Sequence, residues 1–263
     1  SPSEQLGTGG WHTSVLISSS RVAQDELANR VAARLRPDLG TLKKWKKAND
    51  SYRRNFLATL FSCWQQVPDV QVFAQSATEA AILQSIPHCM SQMQLHGIYT
   101  PYSSESGSAR VRVGPVVRRS DPTTPLVFSL SQNRADMCVF IAHFVRRVQQ
   151  AMFAAINEGR SRPSELNWSF IADKFPGVLD DDMDLLFQVL VMSPPRLGRT
   201  TWGYFQEGDV QATDLLADNL AGALNAIAPN PGRLGGAPNL VSPGSKFGWE
   251  ILDGTLRPGT AGT

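Results

Sequence analysis

The sequence predicts a mixed α/β fold, a sheet layered with flanking helices, followed by an extended C-terminal arm. Strand-like segments interleave with amphipathic helical stretches over the first 228 residues, an order that lays helices on a sheet rather than building an all-α or all-β core. The composition, 42% hydrophobic and 18% charged over 263 residues, excludes a disordered or fibrous chain. After residue 228, thirteen of the last thirty-five residues are Gly or Pro, and helical or strand periodicity stops. Residues 229–263 are therefore expected to form an arm, ordered only by packing on the body or a partner through Phe247, Trp249, Ile251 and Leu252. The division is a body, 1–228, and an arm, 229–263.

Each element has its own signal. WHTSVLIS (11–18) has the β-branched and aromatic content of a strand. From Val22 through Leu27, Val31 and Leu35 apolar residues recur at helical spacing, until Pro37 and Gly40 end the run. KKWKK (43–47) leads into a second helix over about 52–66, closed by Pro68. DVQVFA (69–74) alternates like a strand, and ATEAAILQSI (77–86) reads as a short helix. Between Gly97 and Ser120 the chain is rich in Ser, Gly and Arg, with alternation at RVRVGPVV (110–117), so it is either a hairpin or a flexible excursion.

PLVFSLS (125–131) is a short apolar run between a proline cluster and a polar turn, the pattern of a buried strand. The clearest helix follows from Ala135 to about Glu158, where Val139, Phe140, Phe144, Val148, Met152 and Ile156 keep one stripe. NWSFIAD (167–173) reads as a buried strand ending in a carboxylate. A helix over about 181–191 has Asp180, Asp181, Asp182 and Asp184 at its positive N-terminus. TWGYF (201–205) is a strand, and a last helix spans about 210–227.

No apolar run approaches the ~18 residues of a membrane span, and SPSEQLGTGG lacks the basic start and apolar core of a signal peptide. The expectation is a cytoplasmic protein with no membrane partner. Cys63, Cys89 and Cys138 are widely spaced and odd in number, which fits buried or free thiols better than a disulfide framework. The net charge of +2 hides a split: residues 21–54 hold ten Lys/Arg against four Asp/Glu, and residues 165–218 hold three against ten. A basic and an acidic stretch in one chain point to a polyanion surface and a cation site, although each also fits an ordinary solvated face.

Chemistry concentrates in the last helix, QATDLLADNLAGALN. Asp214 and Asp218, four apart, share one helix face. Like charges at that spacing repel by a few tenths of a kcal/mol, a penalty that either a bound cation or a basic neighbour reverses. Asp173 ends a predicted strand, where open α/β sheets place their sites. Three carboxylates suit a hard cation, Mg²⁺ or Mn²⁺, with Glu207 and Asp209 in reserve. Lys43, Lys44, Lys46, Lys47, Arg53 and Arg54, interleaved with Trp45 and Tyr52, form a segment suited to gripping a phosphate backbone and stacking a base. His88, Cys89 and His96 have no fourth metal ligand at a useful spacing, and His143 falls within an apolar helix. Arg146 and Arg147 fit a solvated face better than an anion contact, the other role open to them.

The string ADNLAGA (217–223) resembles the closing signature of a widespread microbial family, domain of unknown function 3800, which is similar to RNase H-like nucleases. GGWHTSVLIS resembles that family's second strand, KKWKKAND its basic segment, and NWSFIADK a late core strand; the resemblance covers about residues 9–228. It implies an RNase H-like three-layer mixed sheet, small residues after Asp218 that bring the helix close to that sheet, and metal ligation by Asp218 and Asp173. Asp214 lies outside the family pattern. The family's opening strand, ending in D-E-S-G, has no counterpart here: Glu4 is the acidic residue before Trp11. The resulting expectation is a metal-dependent nuclease-like domain that binds or cleaves nucleic acid. The alternative is a non-catalytic assembly subunit, of a virus, phage or defence complex, that forms homo-oligomers or larger assemblies through residues 229–263.

Overall fold

The computed structural model describes residues 10–67, 69–95, 100–103, 108–118, 121–157, 167–172, 188–191, 199–204, 212–230 and 247–253. The elements are β1 (Trp11–Ser18), α1 (Arg21–Leu35), a 3-10 turn (Trp45–Lys47), α2 (Asp50–Trp64), β2 (Gln71–Thr78), α3 (Glu79–Leu95), β3 (Thr100–Ser103), β4 (Ser108–Arg118) and β5 (Asp121–Ser131). They continue with α4 (Gln132–Asn157), β6 (Asn167–Ala172), β7 (Arg199–Tyr204), α5 (Ala212–Ile227) and β8 (Phe247–Leu252). Residues 188–191 are also helical.

Side-chain caps set the helix starts. Ser20 Oγ accepts from Ala23 N–H at 3.2 Å to open α1, and Asn49 Oδ1 accepts from Tyr52 N–H at 2.9 Å to open α2. Thr78 Oγ1 accepts from Ala81 N–H at 3.3 Å, so β2 passes directly into α3.

The strands make a mixed α/β architecture in three sheets. The central one has the order β1-β2-β8, with β1 antiparallel and β8 parallel to β2. β3, β4 and β5 form an antiparallel meander, and β6 and β7 a parallel pair. The stretch that reads as a hairpin or an excursion thus supplies β3 and β4. Alternate residues of β2 enter two different cores, as the period of two requires. Val72 and Ala74 join Leu27, Val31, Phe56, Leu60, Leu216, Leu220 and Trp249, while Phe73 and Ala77 join Ile82, Ile86, Cys138, Phe144 and Leu190. Helices α1, α2 and α5 therefore cover one face of the central sheet, and α3 and α4 the other.

Four features depart from the sequence expectations. β2 runs on to Thr78 rather than ending near Ala74, because residues 72–77 are all buried and a central strand needs no polar alternation. α3 continues through Pro87 to Leu95. Proline forfeits one intrahelical hydrogen bond, but Pro87 lies on the exposed side while Ile82, Ile86 and Cys89 hold the helix in the core. Within the expected arm, residues 247–252 are the third strand of the central sheet, and Trp249 is 1% exposed. Arg146, expected in solvent, is buried and donates from Nη1 to the Leu190 carbonyl at 3.1 Å. All three cysteines are free and buried. Among the described residues no helix is long and apolar enough to cross a membrane.

Candidate functional site

One turn of helix α5 carries the site. Leu215, Leu216, Leu220, Ala223 and Leu224 fill the core, which leaves Asp218 and Gly222, four apart, on a side that meets the basic segment. Trp45 N–H, at the start of the 3-10 turn, donates to Asp218 Oδ2 at 2.9 Å. This satisfies a donor that a helix start leaves without an internal partner. Next to it, the fully buried Asn219 donates from Nδ2 to the Lys43 carbonyl and to the Leu215 carbonyl, both at 2.6 Å. The Trp45 ring lies on Gly222 so closely that a Cβ there would stand 2.3 Å from ring Cγ and Cδ1. The glycine permits the close approach of turn and helix. Of the small residues after Asp218, Ala223 is buried in the core shared with the central sheet, and Gly222 faces the turn.

Arg53 and Tyr52 hold the turn from the α2 side. Arg53 Nη2 donates to the carbonyls of Trp45 and Lys46 at 3.0 and 3.4 Å, and its guanidinium carbon lies 5.4 Å from the Trp45 ring centroid. The Tyr52 hydroxyl accepts from Lys43 N–H at 3.5 Å, and its ring stacks on Phe56. Burial pushes the Tyr52 hydroxyl above its ordinary value; the Lys43 N–H and nearby Arg36 oppose this, and Asp218 adds to it. Arg36, at the end of α1, is thus part of the same electrostatic neighbourhood.

Two roles emerge within the basic segment. Trp45 and Arg53 are structural: the ring is half-buried between Gly222, Arg53 and Phe56, and the guanidinium is tied to backbone carbonyls. Lys44, Lys46, Lys47 and Arg54 are exposed and Lys43 is half-buried, and none of the five has an ion pair among the described residues. Helix α1 differs, since its Arg21 faces Asp25 and its Arg30 is bonded to Glu26.

The predicted carboxylates fare unequally. Asp218 is placed as described, with Oδ1 free of hydrogen bonds among the described residues. Asp214 lies one turn earlier on α5. Asp173 falls outside the described residues, as do Glu207 and Asp209. Among the described residues no three His, Cys, Asp or Glu side chains are grouped so as to hold a metal ion. Among the described residues, Asp218 alone does not make a cation site.

The opposite face of the sheet holds a second polar group, which the sequence reading missed. Gln75, 3% exposed, donates from Nε2 to Glu250 Oε2 at 2.7 Å, and Arg147 closes a salt bridge to the same carboxylate. His143 Nδ1 lies 3.4 Å from Cys89 Sγ, with the His88 ring edge-on to it. Burial, then Arg147 and His88, lower the His143 pKa to about 4, and burial raises the Cys89 thiol. At neutral pH this is a neutral imidazole beside an un-ionised, buried thiol. Nucleophilic cysteine chemistry needs an accessible thiolate and finds none here.

Asn219 and Gly222 lie inside the ADNLAGA string, so a signal for them existed; Arg36 and Tyr52 had only charge and position to mark them. Comparison with family models, curated proteins and solved structures gives no match.

Proposed function

We propose that this chain is a nucleic-acid-binding, nuclease-like domain that grips the phosphate backbone with Lys43, Lys44, Lys46, Lys47 and Arg54 beside the Asp218 end of α5. One observation carries the reading. A basic segment and a carboxylate helix 173 residues apart in sequence meet through Trp45 and Asp218, and the exposed cations of that segment have no ion pair among the described residues. Unpaired Lys and Arg fixed on a rigid turn are an electrostatic footprint for a polyanion. The resemblance to an RNase H-like family supports cleavage as the activity and implies Asp218 and Asp173 as the residues that would hold Mg²⁺ or Mn²⁺; Asp214, outside the family pattern, is added from its place four residues before Asp218.

The assembly reading takes second place, since Trp249, its proposed anchor on a neighbouring subunit, is buried in its own chain. The test separates binding from cleavage. Labelled single-stranded, duplex and RNA–DNA hybrid 20-mers are incubated with the full chain and Mg²⁺ or Mn²⁺, alongside Asp218→Asn. Cleavage is expected in wild type and lost at least a hundredfold in the variant, while binding changes little. Equal cleavage by both proteins removes Asp218 from the site. Binding without cleavage leaves a nucleic-acid-binding domain and removes the nuclease.

A further inference from the structure

We infer that the turn holds nucleic acid by its phosphates alone, without stacking a base, and that its partner is a double helix rather than an unstacked single strand. The inference rests on the polyanion reading above and assigns the substrate class at that surface.

The argument starts from the two aromatic residues of the basic segment. Proteins that hold single strands without sequence preference combine a positive groove with aromatic rings on which bases stack. Trp45 and Tyr52 would be those rings, and neither is available. Tyr52 is 6% exposed, stacked on Phe56, with its hydroxyl bonded to the Lys43 N–H. Trp45 lies on Gly222, meets Phe56 edge-on and has Arg53 on its ring. Arg53, the guanidinium nearest the turn, is tied to the Trp45 and Lys46 carbonyls and so is withheld from flat contact with a base.

What remains outward is charge. Lys44, Lys46 and Lys47 present ammonium groups, compact point charges suited to phosphate rather than to planar recognition of base edges. Arg54 adds one exposed guanidinium from the first turn of α2. The backbone beneath is pinned at Lys43 C=O, Trp45 N–H and Trp45 C=O, so binding need not order the loop. A duplex, with one negative charge per ~1.7 Å of axis, offers such a fixed cluster the denser array of phosphates.

The main test uses the unmodified chain. Fluorescence anisotropy of the full chain in EDTA, so that no strand is cut, compares three labelled 20-mers: a mixed-sequence single strand, an abasic strand of the same length, and the duplex. The abasic and base-containing strands should bind within about twofold of each other, and the duplex at least as tightly as either. Its affinity should fall with salt at a log–log slope of about −3 to −4, four phosphate contacts at 0.9 each. A base-containing strand bound about fivefold or more tightly than the abasic one, the effect of even one stacked base, overturns the inference while leaving the polyanion reading intact. A single strand bound tenfold more tightly than the duplex overturns it equally. If none of the three binds, the polyanion reading itself fails. Reversing Lys44, Lys46, Lys47 and Arg54 to Glu should weaken binding of the duplex at least tenfold; these side chains are exposed and have no ion pair among the described residues.

Discussion

The two faces of the central sheet treat charge in opposite ways. On the α5 side, neutral and acidic groups tie the KKWKK turn to the helix, and Lys44, Lys46 and Lys47 are exposed with no ion pair among the described residues. On the α3/α4 side, the charge is neutralised within the fold: Glu250 accepts from Gln75 and Arg147. Among the described residues both faces hold buried polar atoms without a hydrogen bond, Gln75 Oε1, Arg147 Nε and the His12 ring nitrogens here, Arg53 Nε and Asn219 Oδ1 on the α5 side. Spare surface charge costs little stability and is available to a ligand, whereas paired internal charge belongs to the fold. Substitutions on the first face should therefore change binding, and those on the second stability.

The largest expected effect is on the second face and is driven by pH. His143 has its pKa lowered to about 4, below the unfolded value near 6.5, by burial first and then by Arg147 and His88. Between those values the unfolded chain binds the extra proton, so stability falls as pH drops from about 6.5 to about 4 and this contribution levels off below. The loss is on the order of 2 kcal/mol. Burial lowers the His12 pKa as well, against the opposing Glu79, and acts in the same direction. Urea denaturation at pH 7 and pH 4.5 should show wild type losing about that much more than His143→Gln. Identical losses in the two proteins would mean that the imidazole is already solvated.

A smaller effect tests the charge pairing directly. Arg147→Met leaves Glu250 with Gln75 alone. Because the side chains of the pair are 34% and 25% exposed, water softens the penalty to about 1–2 kcal/mol, below the 3–5 typical of a fully buried pair. Lys46→Met on the other face should change the unfolding free energy by less than about 0.5 kcal/mol and weaken nucleic-acid binding instead. Equal stability effects at the two positions would erase the distinction between the faces.

Much of this was legible in the chain, and the rest was hidden for identifiable reasons. Helices α1, α2, α4 and α5 follow from apolar residues at helical spacing, because one buried face leaves a periodic trace, and β1 from its β-branched and aromatic content. β2 and α3 blurred together because the strand is buried on both faces and hands over to the helix at Thr78 with no turn residue between them. β8 was unreadable as part of the sheet, since its partner lies about 175 residues away and its flanks are Gly/Pro-rich. At the site, residue type and helix face were enough to select Asp218 and the basic segment. That Trp45 would bind the chain's own glycine rather than a base depends on a tertiary contact, which leaves no periodic trace.

That contact yields the sharpest prediction. In a solvent-exposed helix interior, Gly→Ala gains about 1 kcal/mol. At position 222 the added Cβ would stand 2.3 Å from Trp45 Cγ, an atom at the rigid base of the indole rather than at a mobile tip. Either the ring and its turn lift or the helix moves, and overpacking of this kind costs about 1–3 kcal/mol. The two terms oppose, so Gly222→Ala should destabilise by roughly 1 kcal/mol net and weaken duplex binding, because the lysines lose their anchored backbone. In a Trp45→Ala background the same substitution should recover the helix gain and become stabilising, a sign reversal that a double-mutant cycle reads as coupling between the two positions. If Gly222→Ala stabilises the wild-type chain, the ring does not rest on α5. The turn is then free to move, and Trp45 regains the stacking role that the clamp denies it.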